Sequence, residues 1–209
     1  EYIYDLAQLI HQLELAPVTI IAHSLGGSVA LRYAGIYPEN IHKMIVIEGT
    51  GGPPVELENM PLHERLRQWI ESTRSISGRT PKRYKTLEDA YQRMHEANSH
   101  LREDQARNLT IHGTNQNEDG TYSWKFDNYT HVMSPFGIDR SDSYELWKRI
   151  DKPVLLVSGK ESWMSDAQKK EDPVSYFPNA SHVQIEGAGH WLHHDQLDNF
   201  LEVARDFLS

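Results

Sequence analysis

Apolar and polar positions follow two rhythms along this chain, one of period 3.6 and one of short unbroken apolar runs. Ile3, Leu6, Leu9, Ile10 and Leu13 recur every three to four residues and predict a one-face helix over 2–14. Ala16-Pro17 closes it. Val18-Thr19-Ile20-Ile21-Ala22 is then an apolar, β-branched run of the kind that forms a strand covered on both faces of a parallel sheet. A helix runs from Ser24 to about Tyr37, where Pro38 stops it, and Ile41–Ile47 is the next strand. Strand, helix and strand of these lengths make a βαβ unit.

After Gly49-Thr50-Gly51-Gly52-Pro53-Pro54 the texture changes to charges, histidines and aromatics as far as about Arg149. Helical spacing predicts helices over 62–70, 87–94, 104–109 and 143–150, with a short strand over 121–126 after the polar turn Asn115–Gly120. So many helical patterns and aromatics do not fit a linker, and residues 50–150 read as an inserted cap or lid. The sheet resumes with the strand over 153–158, a weak helix interrupted by Pro173 over 165–177, and a strand over 181–186. An amphipathic helix over 193–208 closes the chain. The predicted domains are a first core segment 1–49, the insertion 50–150 and a second core segment 151–209.

The turn between the first strand and its helix carries the candidate chemistry. Ser24 lies between small residues, Ala22 before it and Gly26 and Gly27 after it. So tight a turn strains its central residue and is expected to exclude bulk two positions either side. It lifts the serine hydroxyl clear of the sheet and aims the free N–H groups and positive end of the next helix at the same spot. A nucleophile whose attack creates an oxyanion needs these features, and the Leu25 N–H is the first candidate donor.

Here the chain resembles the α/β-hydrolase family. Ala22-His23-Ser24-Leu25-Gly26 matches its Gly-x-Ser-x-Gly nucleophile elbow with alanine for the first glycine. Gly187-Ala188-Gly189-His190-Trp191, after the last strand, looks like the family's Gly-x-Gly-His turn. Ile47-Glu48-Gly49, Trp124-Lys125-Phe126-Asp127 and Gly159-Lys160-Glu161-Ser162-Trp163 look like a subgroup related to serine hydrolase-like proteins. The resemblance implies an α/β-hydrolase fold, a mostly parallel sheet flanked by helices with a largely helical inserted cap. It implies Ser24 as nucleophile and His190 as base, because a serine hydroxyl attacks well only when a base removes its proton. It also implies that this chain supplies the last four of eight strands. The segment carrying the earlier strands and the second oxyanion N–H is then expected as a separate or cleaved piece, or its place is taken by a homodimer partner.

The base needs a carboxylate to fix its tautomer. The family's usual position, in the turn after strand 153–158, holds Ser162 followed by Trp163. Some dehalogenase-like members use the end of the strand after the nucleophile helix instead, and Glu48 stands there, 24 residues after Ser24. A carboxylate ending the buried run Met44–Ile47 also requires a partner, because burying it unpaired is costly. Glu48 is therefore taken as the acid, with Glu161 and Asp166 as alternatives. His23 reads as structural. The five tryptophans, with Tyr122, Phe126 and Phe136, read mostly as core, two or three of them touching substrate. A metal reading of His190, His193 and His194 lacks an accompanying carboxylate motif.

Composition narrows this further. A formal net charge of −9 over 209 residues disfavours nucleic acid as a partner. No apolar run is long enough to span a membrane. The absence of cysteine excludes disulfides and thiol catalysis and fits the cytoplasm. No cofactor or metal is expected. A serine nucleophile, where dehalogenases and epoxide hydrolases of this family use aspartate, points to a small-molecule ester, thioester or lactone substrate. A catalytically silent ligand-binding module and a proline iminopeptidase-like aminopeptidase are the other readings.

Overall fold

The computed structural model describes residues 1–51, 60–99, 101–132, 134–136, 139–164 and 172–209. They fall into two compact units, Glu1–Val55 with Ile138–Ser209, and Glu56–Gly137.

The first unit is built on a parallel sheet of β1 (Val18–His23), β2 (Ile41–Ile47), β5 (Val154–Gly159) and β6 (Ala180–Ile185), in the order β1-β2-β5-β6. Alternation along each strand sorts side chains between two cores. Met44, Val46, Val154 and Leu156 face one core, with Ile10 of α1 (Tyr2–Gln12), Leu31 and Tyr33 of α2 (Leu25–Ile36) and Trp147 of α6 (Arg140–Trp147). Ile45, Ile47, Leu155 and Val157 face the other, with Leu192 of α7 (Leu192–Asp195) and Phe200 and Ala204 of α8 (Leu197–Leu208). The register pairs His23 with Ile47, Ile47 with Val157 and Gly159 with Ile185. The strands thus end close together, so the residues just after them meet at one sheet edge, where open α/β sheets place their sites.

Two expectations need correction here. β1 was expected to be covered on both faces. In the described sheet it pairs only with β2, and Ile21 is 52% exposed, while Val18, Ile20 and Ala22 pack on the first core. The helix over 143–150, read as part of the insertion, is α6 and belongs to the first unit. Its Leu146 sits where a Cβ on Gly35 of α2 would come within 2.6 Å, so the two helices pack at backbone distance. The exposed polar positions of α6 hid this from a reading based on apolar spacing.

The second unit holds α3 (Leu62–Ile76), α4 (Leu87–Ala97), α5 (Glu103–Gly113) and a hairpin of β3 (Thr114–Gln116) and β4 (Tyr122–Trp124). Thr86 and Asp89 cap α4 reciprocally, the Asp89 N–H donating to Thr86 Oγ1 and the Thr86 N–H to Asp89 Oδ2. Buried Ala90 and Ala106 let α4 and α5 approach closely. The polar strand β3 escapes a hydrophobic reading altogether. In the last segment, residues 165–171 lie outside the described residues. Pro173–Tyr176 is a single 3-10 turn capped by Asp172 rather than part of a longer helix. Among the described residues no helix is long and apolar enough to cross a membrane.

Candidate active site

β1 delivers Ser24 to the sheet edge in a backbone conformation few L-residues adopt, φ 53° and ψ −121°. Such a conformation costs about 1–3 kcal/mol and persists only where the surroundings fix it. Two contacts do so here. The Ser24 N–H donates to the Ile47 carbonyl at 2.9 Å, tying the turn to the end of β2. The first turn of α2 lies against Gly49, where a Cβ on Gly27 would be 2.8 Å from the Gly49 Cα. The expected crowding at Gly26 is absent: a Cβ there meets nothing within 4 Å among the described residues. The turn's space requirement therefore falls on Gly27. Leu25 is the first residue of α2, so its N–H is among those without an intrahelical acceptor.

β2 delivers Glu48, also at positive φ (51°) and 2% exposed. Its carboxylate takes three hydrogen bonds. Gly159 N–H donates to Oε1 at 2.7 Å, Ser162 Oγ to Oε2 at 2.6 Å, and His190 Nδ1 lies 3.2 Å from Oε2. These donors offset the cost of burying the charge. Ser162, which the resemblance places at the family's usual acid position, hydrogen-bonds to the Glu48 carboxylate. That substitution was the one signal in the sequence for this contact.

β6 and the turn after it deliver His190, whose Nε2 is 2.9 Å from Ser24 Oγ. The turn is held from several sides. Glu161 accepts from the Ala188 N–H at 2.6 Å, Asp195 from the Gly189 N–H at 2.8 Å, and His23 Nε2 donates to the His190 carbonyl at 2.8 Å. Sequence reasoning missed Asp195 and this role of Glu161. Glu161, an alternative acid, is thus engaged with the backbone, and Asp166, the other, lies outside the described residues. Both ring nitrogens of His190 are occupied by Ser24 and Glu48. A hydroxyl bonded to an imidazole that is bonded in turn to a carboxylate can pass its proton to Nε2 while Nδ1–H stays on the acid.

The tryptophans separate. Trp147 stacks on Phe177 at 5.1 Å in the core, while Trp163 is 74% exposed with its ring 5.4 Å from that of His190. Beneath them the rings of His23 and His193 lie 4.7 Å apart. Burial, followed by His194, His23 and His190, pushes the His193 ring down to about 4. An unfolded ring takes its proton near pH 6.5, and the folded one resists it. This contribution is therefore complete above pH 6.5 and is lost as pH falls towards 4. Its size is about 1–2 kcal/mol once solvent screening of a half-exposed ring is allowed for. Urea midpoints between pH 7.5 and 4 are expected to fall less steeply in His193→Gln than in the parent. Parallel curves would show that His193 does not contribute.

The comparisons with known proteins agree with this architecture. A family model described as alpha/beta hydrolase fold matches residues 1–197. The Xenopus laevis protein named sn-1-specific diacylglycerol lipase ABHD11 is 26% identical over 98% of this chain and 62% of its own length. Esterase YbfF of Escherichia coli is 23% identical over 98% of this chain and 72% of its own. The crystal structure of the hypothetical protein PA1622 from Pseudomonas aeruginosa superposes with a TM-score of 0.80 at 21% identity, over 99% of this chain and 71% of that one. The chain thus spans about 62% of the length of the Xenopus relative. With a family model matching nearly its whole length and a parallel sheet that presents Ser24, Glu48 and His190 at one edge, this chain belongs to the alpha/beta hydrolase fold family.

Proposed function

We propose that this chain is a serine hydrolase that cleaves a carboxylic ester, thioester, lactone or related acyl bond through an acyl-enzyme. The observation that carries this reading is the hydrogen-bonded series Ser24 Oγ, His190 Nε2, His190 Nδ1 and Glu48 Oε2, with steps of 2.9 and 3.2 Å. In the first half-reaction Ser24 Oγ attacks the acyl carbon and its proton passes to His190 Nε2. Glu48 stabilises the imidazolium and holds the ring in the tautomer whose Nε2 accepts. The carbonyl oxygen becomes an oxyanion beside the Leu25 N–H. Collapse of the tetrahedral species breaks the bond to the leaving group, which takes the proton from Nε2. Water then repeats the sequence on the acyl-serine, releasing the acid and restoring Ser24. The esterase and lipase names of its relatives support this class of substrate.

A fluorophosphonate tests this reading, because it phosphonylates an activated serine far faster than an ordinary one. Intact mass should rise by one phosphonyl group per chain, and the label should be lost in Ser24→Ala. An unlabelled parent chain, or labelling that survives Ser24→Ala, would overturn the proposal.

A further inference from the structure

Trp163 is 74% exposed, while the residues on either side of it, Ser162 and Met164, are buried. A large aromatic surface left in water beside a reaction centre is the informative exception to burial. The turn that holds it is fixed. The Ser162 N–H donates to the Gly159 carbonyl at 3.2 Å, the Ser162 hydroxyl donates to Glu48 at 2.6 Å, and the Met164 N–H donates to Ser162 Oγ at 3.2 Å. Met164 packs on the chain beyond β2, where a Cβ on Gly51 would lie 2.8 Å from its Cε. The residue that serves the acid therefore also fixes the backbone from which the indole projects. The indole lies 5.4 Å from the imidazole of His190, with the planes tilted by 38°. That is contact distance for two aromatic rings. The chemistry above gives this indole no part.

The direction of proton transfer limits what can arrive there. When the tetrahedral species collapses, the bond from the acyl carbon to the leaving oxygen or sulfur breaks, and that atom takes the proton from His190 Nε2. It must come within hydrogen-bond reach of Nε2, so the group attached to it passes beside the imidazole. The acyl chain, on the other side of the carbonyl carbon, has no such constraint. We propose that Trp163 is a specificity-determining residue whose ring packs on the leaving group, so that the site favours esters and thioesters of an aromatic or bulky apolar alcohol or thiol. This rests on the serine-hydrolase reading. The competing explanation is that Trp163 acts on His190 alone, by holding the imidazolium against its ring. That role would be blind to the alcohol.

Two esters of one acid decide it. Benzyl butyrate and methyl butyrate form the same butyryl-enzyme and expel alcohols of similar acidity, so what separates them is the group Trp163 would touch. The parent chain is expected to favour the benzyl ester in kcat/KM, which reports the step that expels the alcohol. Trp163→Ala should reduce the benzyl-to-methyl ratio about 3- to 30-fold, and Trp163→Phe, which retains a ring, should keep most of it. The methyl ester measured in each variant corrects for any change in Ser24, His190 or Glu48. Acyl transfer reads the same site in reverse: the butyryl-enzyme of the parent should pass to added benzyl alcohol more readily than to methanol, and Trp163→Ala should lose that preference. A parent that does not favour the benzyl ester, or a ratio unchanged in Trp163→Ala because both esters fall together, would overturn the proposal. Fluorophosphonate labelling separates that failure from failure of the serine-hydrolase reading. A parent chain that labels at Ser24 but shows no benzyl preference, or cleaves neither ester, refutes the role of Trp163 and leaves the serine hydrolase standing. A chain that neither labels nor cleaves either ester refutes both.

Discussion

Glu48→Gln is expected to lower the hydrolysis of an activated ester by about 10⁴-fold, while Glu161→Gln lowers it by about tenfold at most. The difference follows from what each carboxylate touches. Glu48 receives three donors, from Gly159, Ser162 and His190. Glutamine keeps the shape but has one acceptor oxygen and an NH₂ that only donates. If the oxygen takes the place of Oε1 it serves Gly159, and the NH₂ then faces Ser162 Oγ and His190 Nδ1 and stabilises the tautomer protonated on Nε2. That tautomer cannot take the Ser24 proton. If the side chain flips, the oxygen serves Ser162 and His190 but the Gly159 N–H faces an NH₂ and loses its acceptor, which costs about 1–3 kcal/mol, and a neutral amide no longer offsets the imidazolium charge. Glu161 holds the Ala188 N–H, so its loss loosens the turn that carries His190 without changing the protonation of the ring. Steady-state kinetics of both variants on p-nitrophenyl butyrate make the comparison. An Glu48→Gln chain within tenfold of the parent would remove Glu48 from the proton path.

The largest effect on the fold itself is expected at Gly27 and Gly49, where α2 crosses the exit of β2. A Cβ on Gly27 would lie 2.8 Å from the Gly49 Cα and 3.0 Å from Val46 Cγ1. A Cβ on Gly49 would lie 2.7 Å from both the Gly27 Cα and Val46 Cγ1. Backbone faces backbone, so no side-chain rotation relieves the clash. Either alanine substitution should therefore cost about 1–3 kcal/mol or more by overpacking. It should also abolish fluorophosphonate labelling, since the crossing sets the positions of Ser24 and Glu48 at once. Gly26→Ala is the contrast. With open space around a Cβ and a place in the first turn of α2, it should be neutral or stabilising, by up to about 1 kcal/mol of helix propensity. Urea midpoints and labelling of the three variants test this, and a Gly27→Ala chain as stable and reactive as the parent would refute it.

Much of the core was legible because its strands carry their own signal. Ile41–Ile47 and the run from Val154 are apolar and β-branched, as strands buried in a parallel sheet must be, and Val18–Ala22 carries the same signal although Ile21 of β1 is exposed in the described sheet. The elbow was legible because glycine and alanine flank a serine between strand and helix. His190 was legible because glycines precede it after the last strand. The hairpin strand Thr114–Gln116 was not, since polar residues in a three-residue strand have no periodicity to read. Nor was the place of α6, because its contact with α2 is made through Leu146 against the backbone of Gly35, a matter of shape rather than pattern.

What the sequence alone determined is therefore local: which segments are strands and helices, where the strained turn falls, and which serine and histidine are the candidates beside it. Each of these depends on residues within a few positions of one another, or on a motif as short. The choice among Glu48, Glu161 and Asp166 was a different kind of question, because it depends on which carboxylate the strand register brings to Nδ1 of His190. The register His23–Ile47 and Ile47–Val157 sets Glu48 one residue past the end of β2, level with Ser24 and Ser158 and one residue short of Gly159. Only there do Gly159 and Ser162 offset the cost of burying its charge. The offset of 24 residues from Ser24 nominated Glu48, but contacts between side chains more than a hundred residues apart are seen only in the tertiary structure, because packing and register make them.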